Sequence, residues 1–514
     1  MIISVWALIL LVPLAFSPVI PSIDLYSHIA RYWVLANIDD PVLQENYRSA
    51  WAILPNLGLD LIGVILVSVV SPEITTKIIV GGVLLIQYFG ALYASRLLSG
   101  KDNPNLPPLL CILAYSYILG WGFSNFLFGL GLAFWNFALW VRFRKRVFLA
   151  TMICSMGAFV VFLAHGLAFA LYGLIVGCYE LSRWYLKRTR HLEDLASRTA
   201  LLGAQALIPA SLFFLSKTSD AEGQTGGIAA SIDQHMAAGS LIDRLFDLFA
   251  HRSESFFRLA EGPYLALDVV TVLCLAGLLT YGLTKKALRI LPVQMLAIGL
   301  FTVLLVLTPP NLFGVGYIAD RIPLVLALVF SISQISQPYR ANKAVRHITL
   351  GLSLLAVIRI GTVSYGYSKY SETYRDFVEI TRYIPTGSIV LDTSYPSKSR
   401  KTFADRCNSF LPLVIASRKA AVPIFAYPSQ QPIAVIGPLR RAVTDRKETI
   451  ARTHDSQDVS TTIEALTTYD TFDFLFVCDH KRIKKPLPNG VSVVAISGQM
   501  LLLRNEGRVN RHSI

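Results

Sequence analysis

Apolar runs of bilayer length recur along this chain, and nothing constrains its fold more. A helix needs about 20 mostly apolar residues to cross the hydrocarbon core. Only helices and closed barrels cross at all, because every backbone N–H and C=O must be satisfied within the protein. Such runs are read at 2–20, 78–97, 106–121, 126–141, 147–163, 167–181, 199–215, 264–283, 290–308, 323–337 and 347–365. Only 16% of the residues are charged, against about 25% in a soluble chain. The expected fold class is therefore a polytopic α-helical membrane protein of about 11 spans. The first 20 residues lack a basic leading region and a small-x-small cleavage site before Pro21. They read as an uncleaved first span rather than a secretory signal.

The net charge of +14 would suit nucleic acid if it were gathered on one surface. It is divided instead into short clusters between apolar runs, as orientation signals are, so nucleic-acid binding is not expected. Topology turns on "PNLGLDLIGVILVSVVSP", 55–72, which is short for a span and carries Asp60. If it lies along the outer surface, one set of loops holds Arg96 and Lys101; Arg142, Arg144, Lys145 and Arg146; Arg183, Lys187, Arg188 and Arg190; Lys285, Lys286 and Arg289; Arg340, Lys343 and Arg346. The opposite short loops, "GWGFSN" and "AHG", hold no basic residue. That is the positive-inside pattern, and counting 55–72 as a span would invert it. The stretch reads as a juxtamembrane helix. Asp24, His28, Arg31, the 216–263 segment, the "PPNLFGVGYIADR" loop and everything after about residue 368 then share the non-cytoplasmic side. Any active site is expected there.

Residues 1–367 thus read as a membrane domain, with 22–77 as its first extracytoplasmic loop, and 368–514 as a small extracytoplasmic α/β domain. In the tail "SETYRDFVEITRYI" has the period of an amphipathic helix. "GSIVLDTS", "QPIAVIG", "FDFLFVCD" and "VSVVAISGQMLLLRN" read as strands. Cys407 and Cys478 are the two cysteines of this tail, and an oxidising compartment permits a bridge that their spacing alone does not establish. The small-residue runs "IIVGGVLL" and "FLFGLGLAF" allow helices to pack closely. They are not phosphate loops, since no Walker lysine accompanies them.

Candidate chemistry begins at "PSIDLYSHIARYW". Asp24, His28 and Arg31 are spaced by four and three residues, so a helix puts them on one face. A carboxylate beside lipid is costly unless partnered, and Arg31 would keep Asp24 ionised. Either the two form an interfacial ion pair or they carry chemistry. "NIDDPVLQENYRSAW" adds Asp39 and Asp40 to a first loop longer than a connector needs. Arg359, within the last run, either snorkels outward or meets an anion.

A first span, an Asp at the start of a long outer loop and an amphipathic juxtamembrane segment together resemble the GT-C glycosyltransferases. The relevant relatives are the protein O-mannosyltransferases and the aminoarabinose transferases. The segments "DLYSHIARYWVL", "WAILPNLGLDL", "GWGFSNFLFGLGLAF" and "LFGVGYIADRIPLVLAL" resemble, more narrowly, an uncharacterised bacterial branch of that superfamily. The resemblance implies transfer of a sugar from a polyprenyl-phosphate carrier to a glycan, lipid or protein acceptor. The place would be the outer face of a bacterial plasma membrane. It implies Asp24 as the base that takes the acceptor's proton, and cations at the departing phosphate. Arg321 is the first candidate for the phosphate because a guanidinium fork binds two oxygens. Tyr317 and Asp320 stand near it where relatives often carry an Arg-Tyr motif, and Arg321 could instead be an anchor bonded to Asp320. Asn125 would orient a sugar hydroxyl; His165 is either a contact on the same side or a packing residue. The second outer loop lacks the acid that many of these enzymes use for a metal, so no cofactor is expected. Convergence of Asp24, His28, Asp39 and Asp40 is the arrangement that would reopen that point. Two alternatives remain. One is a polysaccharide polymerase or O-antigen ligase working on a diphosphate carrier. The other is non-enzymatic: a transporter, for which repeated halves and broken helices would be the sign and neither is evident in the sequence, or a scaffold, for which Asp24 would be dispensable and the tail would not.

Overall fold

The computed structural model describes residues 2–187, 191–215, 253–308, 316–339, 342–393, 403–424, 431–453, 459–478 and 480–507. Residues 216–252 of the 216–263 segment, and residues 309–315 of the "PPNLFGVGYIADR" loop, lie outside the described residues. Contacts gather the chain into two units. One comprises Met1–Ala15, Ile53–Leu59 and Val80–Ser364; the other comprises Phe16–Ala52, Asp60–Ile79 and Tyr365–Ile514.

Five helices among the described residues are long and apolar enough to cross a membrane: Pro72–Ser99, Ser124–Phe143, Val147–Ala164, Leu265–Thr284 and Lys343–Thr381. Other expected spans fall on shorter or less apolar helices, and prolines and buried polar groups explain two of them. The first run is helical only over Ile2–Leu11, then tightens into one 3-10 turn, Val12–Ala15. Pro13 sits in that turn and has no N–H to continue an α-helix. The run 106–121 splits into Leu106–Ala114 and Tyr117–Trp121. At the break Tyr117 N–H donates to Arg258 C=O at 2.9 Å, and Tyr115 C=O accepts from Glu261 N–H at 2.7 Å. Ser116 Oγ caps the new helix through Leu119 N–H. Broken backbone survives among apolar helices because another segment satisfies it.

Close packing in the first unit is bought with glycine. A Cβ on Gly131 would stand 2.9 Å from Gln87 N, and one on Gly90 would stand 2.8 Å from Gly131 C=O. The helices Pro72–Ser99 and Ser124–Phe143 therefore touch backbone to backbone, as "FLFGLGLAF" suggested. Gly131→Val should cost about 1–3 kcal/mol by forcing these helices apart; a melting curve of the detergent-solubilised chain unchanged by the substitution would refute that contact. Two buried charges of this unit, Glu180 and Arg359, have ion-pair partners. Glu180 accepts from Arg144 Nε at 2.6 Å and Nη2 at 2.7 Å, and from Trp140 Nε1 at 2.9 Å. Arg359 does not snorkel. It is 2% exposed, pairs with Asp268 at 2.7 Å and donates to Ala260 C=O at 2.6 Å.

The second unit is built on a four-stranded sheet in the order β4 (Val390–Asp392), β6 (Phe474–Cys478), β8 (Met500–Asn505), β7 (Val491–Ser497). β4 and β6 are parallel; the other pairs are antiparallel. β1 (Tyr47–Ser49), from the first loop, pairs antiparallel with β5 (Ile433–Val435). Tyr47 pins the pairing: its hydroxyl donates to Val422 C=O and accepts from Val422 N–H. A disulfide joins Cys407 to Cys478 and fastens the 3-10 segment Phe403–Leu413 to β6. From that segment Phe410 packs among Tyr26, Tyr370, Tyr374 and Phe377, with ring centroids 4.7–5.7 Å apart. Helix Lys343–Thr381 is continuous for 39 residues, so the amphipathic stretch read after residue 370 prolongs the last apolar run.

Candidate active site

In the second unit Asp24, His28 and Arg31 share one face of the helix Leu25–Ala36, as their spacing requires. Asp24 is its N-cap residue and half-buried, and its carboxylate does not accept the capping bond that the position offers. Arg31 is fully buried, and the carboxylate that grips it is Asp60. Nε donates to Oδ1 at 2.6 Å and Nη2 to Oδ2 at 3.1 Å, the two-pronged geometry that suits guanidinium and carboxylate. Asp60 is itself fully buried, in the first turn of the helix Gly58–Val67. Helix spacing alone suggests Asp24 as the partner of Arg31; the fold supplies Asp60. Nothing in the spacing could have identified Asp60, which lies 29 residues away; the only signal was an acid inside an apolar run. The Tyr32 ring completes the wall, with the Arg31 guanidinium carbon 5.6 Å from its centroid. Arg31 Nη1 is buried with no hydrogen-bond partner among the described residues.

His28 Nδ1 lies 2.9 Å from Arg31 Nη2. A guanidinium only donates, so Nδ1 accepts and the ring proton sits on Nε2. Burial, and then the adjacent guanidinium, hold the imidazole well below the ordinary histidine range, so it is neutral at pH 7. The sign of the linkage follows. Above about pH 6.5 neither the folded nor the unfolded state binds this proton; below it the unfolded chain does and the folded chain does not. Stability is lost as pH falls from about 6.5 towards the depressed folded value. His28→Asn keeps an acceptor near Nδ1 and should remove up to about 1 kcal/mol of the loss between pH 7.5 and 5.5. Equal acid sensitivity of the two proteins in melting curves would contradict it.

Asp40 caps the short helix Pro41–Gln44 through Val42 N–H at 3.0 Å and pairs with Lys419 at 2.6 Å. The lysine's hydrogen bond holds its carboxyl below the usual range. Asp39 is exposed. Among the described residues no three His, Cys, Asp or Glu side chains gather as a metal would need.

In the first unit Arg321, on the helix Ile318–Ile332, is 4% exposed. Its guanidinium carbon lies 4.3 Å from the Phe123 ring centroid and 5.0 Å from that of Phe126, a cation held on aromatic faces. Nη1 is 3.2 Å from His165 Nε2. His165 is also the N-cap of the helix Gly166–Leu186, where Nδ1 accepts from Leu167 N–H at 3.1 Å. Tyr317 begins the arginine's helix in the left-handed region, at φ 58°, a conformation uncommon outside glycine. Its ring rests 4.5 Å from that of Trp121. Asp320 is half-buried in the first turn of that helix. Asn125, 6% exposed, donates from Nδ2 to Asn56 C=O at 2.9 Å, and its Oδ1 has no hydrogen-bond partner among the described residues. The fold thus brings His165, Arg321 and the "GWGFSN" aromatics together.

No family model matches the chain, and no curated protein matches it. Solved structures do. One is ArnT from Cupriavidus metallidurans bound to undecaprenyl phosphate, similar over 98% of this chain and 97% of that one, with a TM-score of 0.51 and 12% identity. The same protein in the apo state gives 0.43 and 11% over the same shares. Arabinofuranosyltransferase AftD from Mycobacteria is similar over 98% of this chain, with a TM-score of 0.46 and 13% identity; the chain spans 40% of its length. The likeness to the carrier-bound ArnT structure gives this multi-pass membrane chain a GT-C-type fold.

Proposed function

We propose that this chain transfers a sugar from a polyprenyl-phosphate carrier to a glycan, lipid or protein acceptor, on the outer face of the bacterial plasma membrane. The observation that carries the reading is a GT-C-type fold shared over nearly the whole of both chains with a protein whose structure holds undecaprenyl phosphate. Arg321 supports it: it is a buried guanidinium held on the faces of Phe123 and Phe126, and a guanidinium suits phosphate oxygens.

Asp24 takes the proton of the acceptor hydroxyl. The acceptor oxygen bonds to the sugar's anomeric carbon while the bond from that carbon to the phosphate oxygen breaks. The electron pair leaves with the polyprenyl phosphate. Arg321, set against Phe123 and Phe126, is the residue proposed to meet the phosphate's charge, with the His165 ring beside it. In the second unit Arg31, oriented by Asp60 and His28, is proposed as a further cation for an anionic group of the substrates. Asn125 Oδ1 is an acceptor suited to a sugar hydroxyl. Asp39 and Asp40 are proposed as further substrate contacts of the first loop, Asp40 also capping a short helix and pairing with Lys419. Residues 368–514 are proposed to lie outside the membrane and to help receive the acceptor.

Mass spectrometry of polyprenyl-phosphate lipids in wild-type and deletion cells tests the reading. The deletion should accumulate a polyprenyl-phosphate sugar, whose mass names the sugar. Identical lipid profiles would end the proposal.

A further inference from the structure

The second unit holds a cavity that the transfer chemistry does not use. Its volume is about 350 Å³, near the lower end for small-molecule sites and enough for one or two sugar rings. Its walls include Trp33, Tyr374 and Phe377, with Glu73, Arg382 and Arg418 among the polar lining. Trp33 lies on the same helix as Asp24 and Arg31. Pro72 and Glu73 open the apolar helix Pro72–Ser99, so the cavity stands where a membrane span begins.

The walls are set before any ligand arrives. Tyr374 and Phe377 are stacked, with centroids 6.0 Å apart, and both pack on Phe410, whose segment the disulfide fastens to the sheet. Tyr374 donates its hydroxyl to Glu73 Oε1 at 2.7 Å, which orients that carboxylate. Arg418 Nε donates to Thr381 C=O at 3.1 Å, which orients the guanidinium. Arg382 is exposed at the rim.

Flat aromatic walls suit the C–H face of a sugar ring, and carboxylate and guanidinium groups suit its hydroxyls. The charges do not balance: two arginines face one carboxylate already bonded to a tyrosine. We infer that this cavity binds an acidic saccharide, its ring against Trp33 and its carboxylate or phosphate between Arg382 and Arg418. Resting on the transferase reading, it would be the place where an acidic acceptor docks. The saccharide could be a lipid's headgroup or part of a glycan chain, and the chemistry is shared.

Binding to the full chain in detergent is measured by saturation-transfer NMR titration with glucuronate, glucose 1-phosphate and glucose. The two acidic sugars should bind about tenfold more tightly than glucose, the worth of one hydrogen bond to a charged group. Arg382→Ala and Trp33→Leu should each weaken them by about tenfold. Arg382 is exposed, so its variant tests the idea even if Trp33→Leu folds poorly. Glucose binding as well as glucuronate, an unchanged Arg382→Ala, or inorganic phosphate displacing glucose 1-phosphate at equal affinity would each overturn the proposal. Octyl glucuronide binding more tightly than glucuronate would identify a lipid headgroup, and equal binding a glycan chain; both support it. Asp24→Asn should bind as wild type does. Binding that persists in a chain showing no transfer would separate failure of the transferase reading from failure of this one.

Discussion

Asp24→Asn is expected to slow sugar transfer by about 10²- to 10⁴-fold, the usual contribution of a positioned general base. The assay would use purified protein and the carrier lipid extracted from deletion cells. The substitution keeps the size of the side chain and removes its ability to take a proton. The substitution leaves the helix cap and the Arg31–Asp60 pair as they are, because the Asp24 side chain does not cap its helix and Arg31 has its two-pronged partner in Asp60. The melting temperature should therefore stay within a few degrees of wild type while turnover falls. Asp24→Glu, which keeps the carboxylate but moves it, should fall between the two. Turnover of Asp24→Asn within threefold of wild type would remove Asp24 from the chemistry and leave it an interfacial acid.

Asp60→Asn should do the opposite and unfold the chain before its chemistry can be read. Arg31 and Asp60 are both fully buried, and removing one member of such a pair strands the other charge. The typical cost is about 3–5 kcal/mol, a large part of a domain's stability. The variant should melt well below wild type or fail to accumulate in the membrane. The double variant Arg31→Met with Asp60→Leu should recover most of that loss, since apolar replacement of a buried pair is often neutral. It then separates packing from function. A stable double variant that transfers no sugar supports Arg31 as a phosphate contact. One that is stable and fully active would show that Arg31 serves only to neutralise Asp60. Should Asp60→Asn melt with wild type, the buried pair itself would be misassigned.

These outcomes concern residues of unequal visibility in the sequence. Asp24, His28 and Arg31 were legible because they lie within one helix, and helical geometry fixes their common face from spacing alone. Arg321 was legible as a lone cation at the mouth of an apolar run. Its setting between Phe123 and Phe126 was not, because about 200 residues of chain separate the loop from the arginine. Asp60 was visible as an acid within "LGLDLIG", yet its partner could not be named from spacing. Asp268 and Arg359 repeat the case: each signals a cost that something must offset, without saying what offsets it. Trp33 carried no sign of a cavity.

Features that depend on local geometry and on solvent could be read along the chain. The apolar runs and sparse charge required a helical membrane chain, and small-residue runs marked where helices touch, but the breaks inside 2–20 and 106–121 were not legible. Partners emerged from folding alone: Asp60 for Arg31, Asp268 for Arg359, Cys478 for Cys407, and β1 of the first loop for β5 of the tail. The reason is physical. Helix period and transfer into lipid act over a few residues and leave a pattern in the order of side chains. A buried charge or an unpaired strand edge fixes only the kind of partner it must have. Which residue supplies it follows from how the whole chain packs.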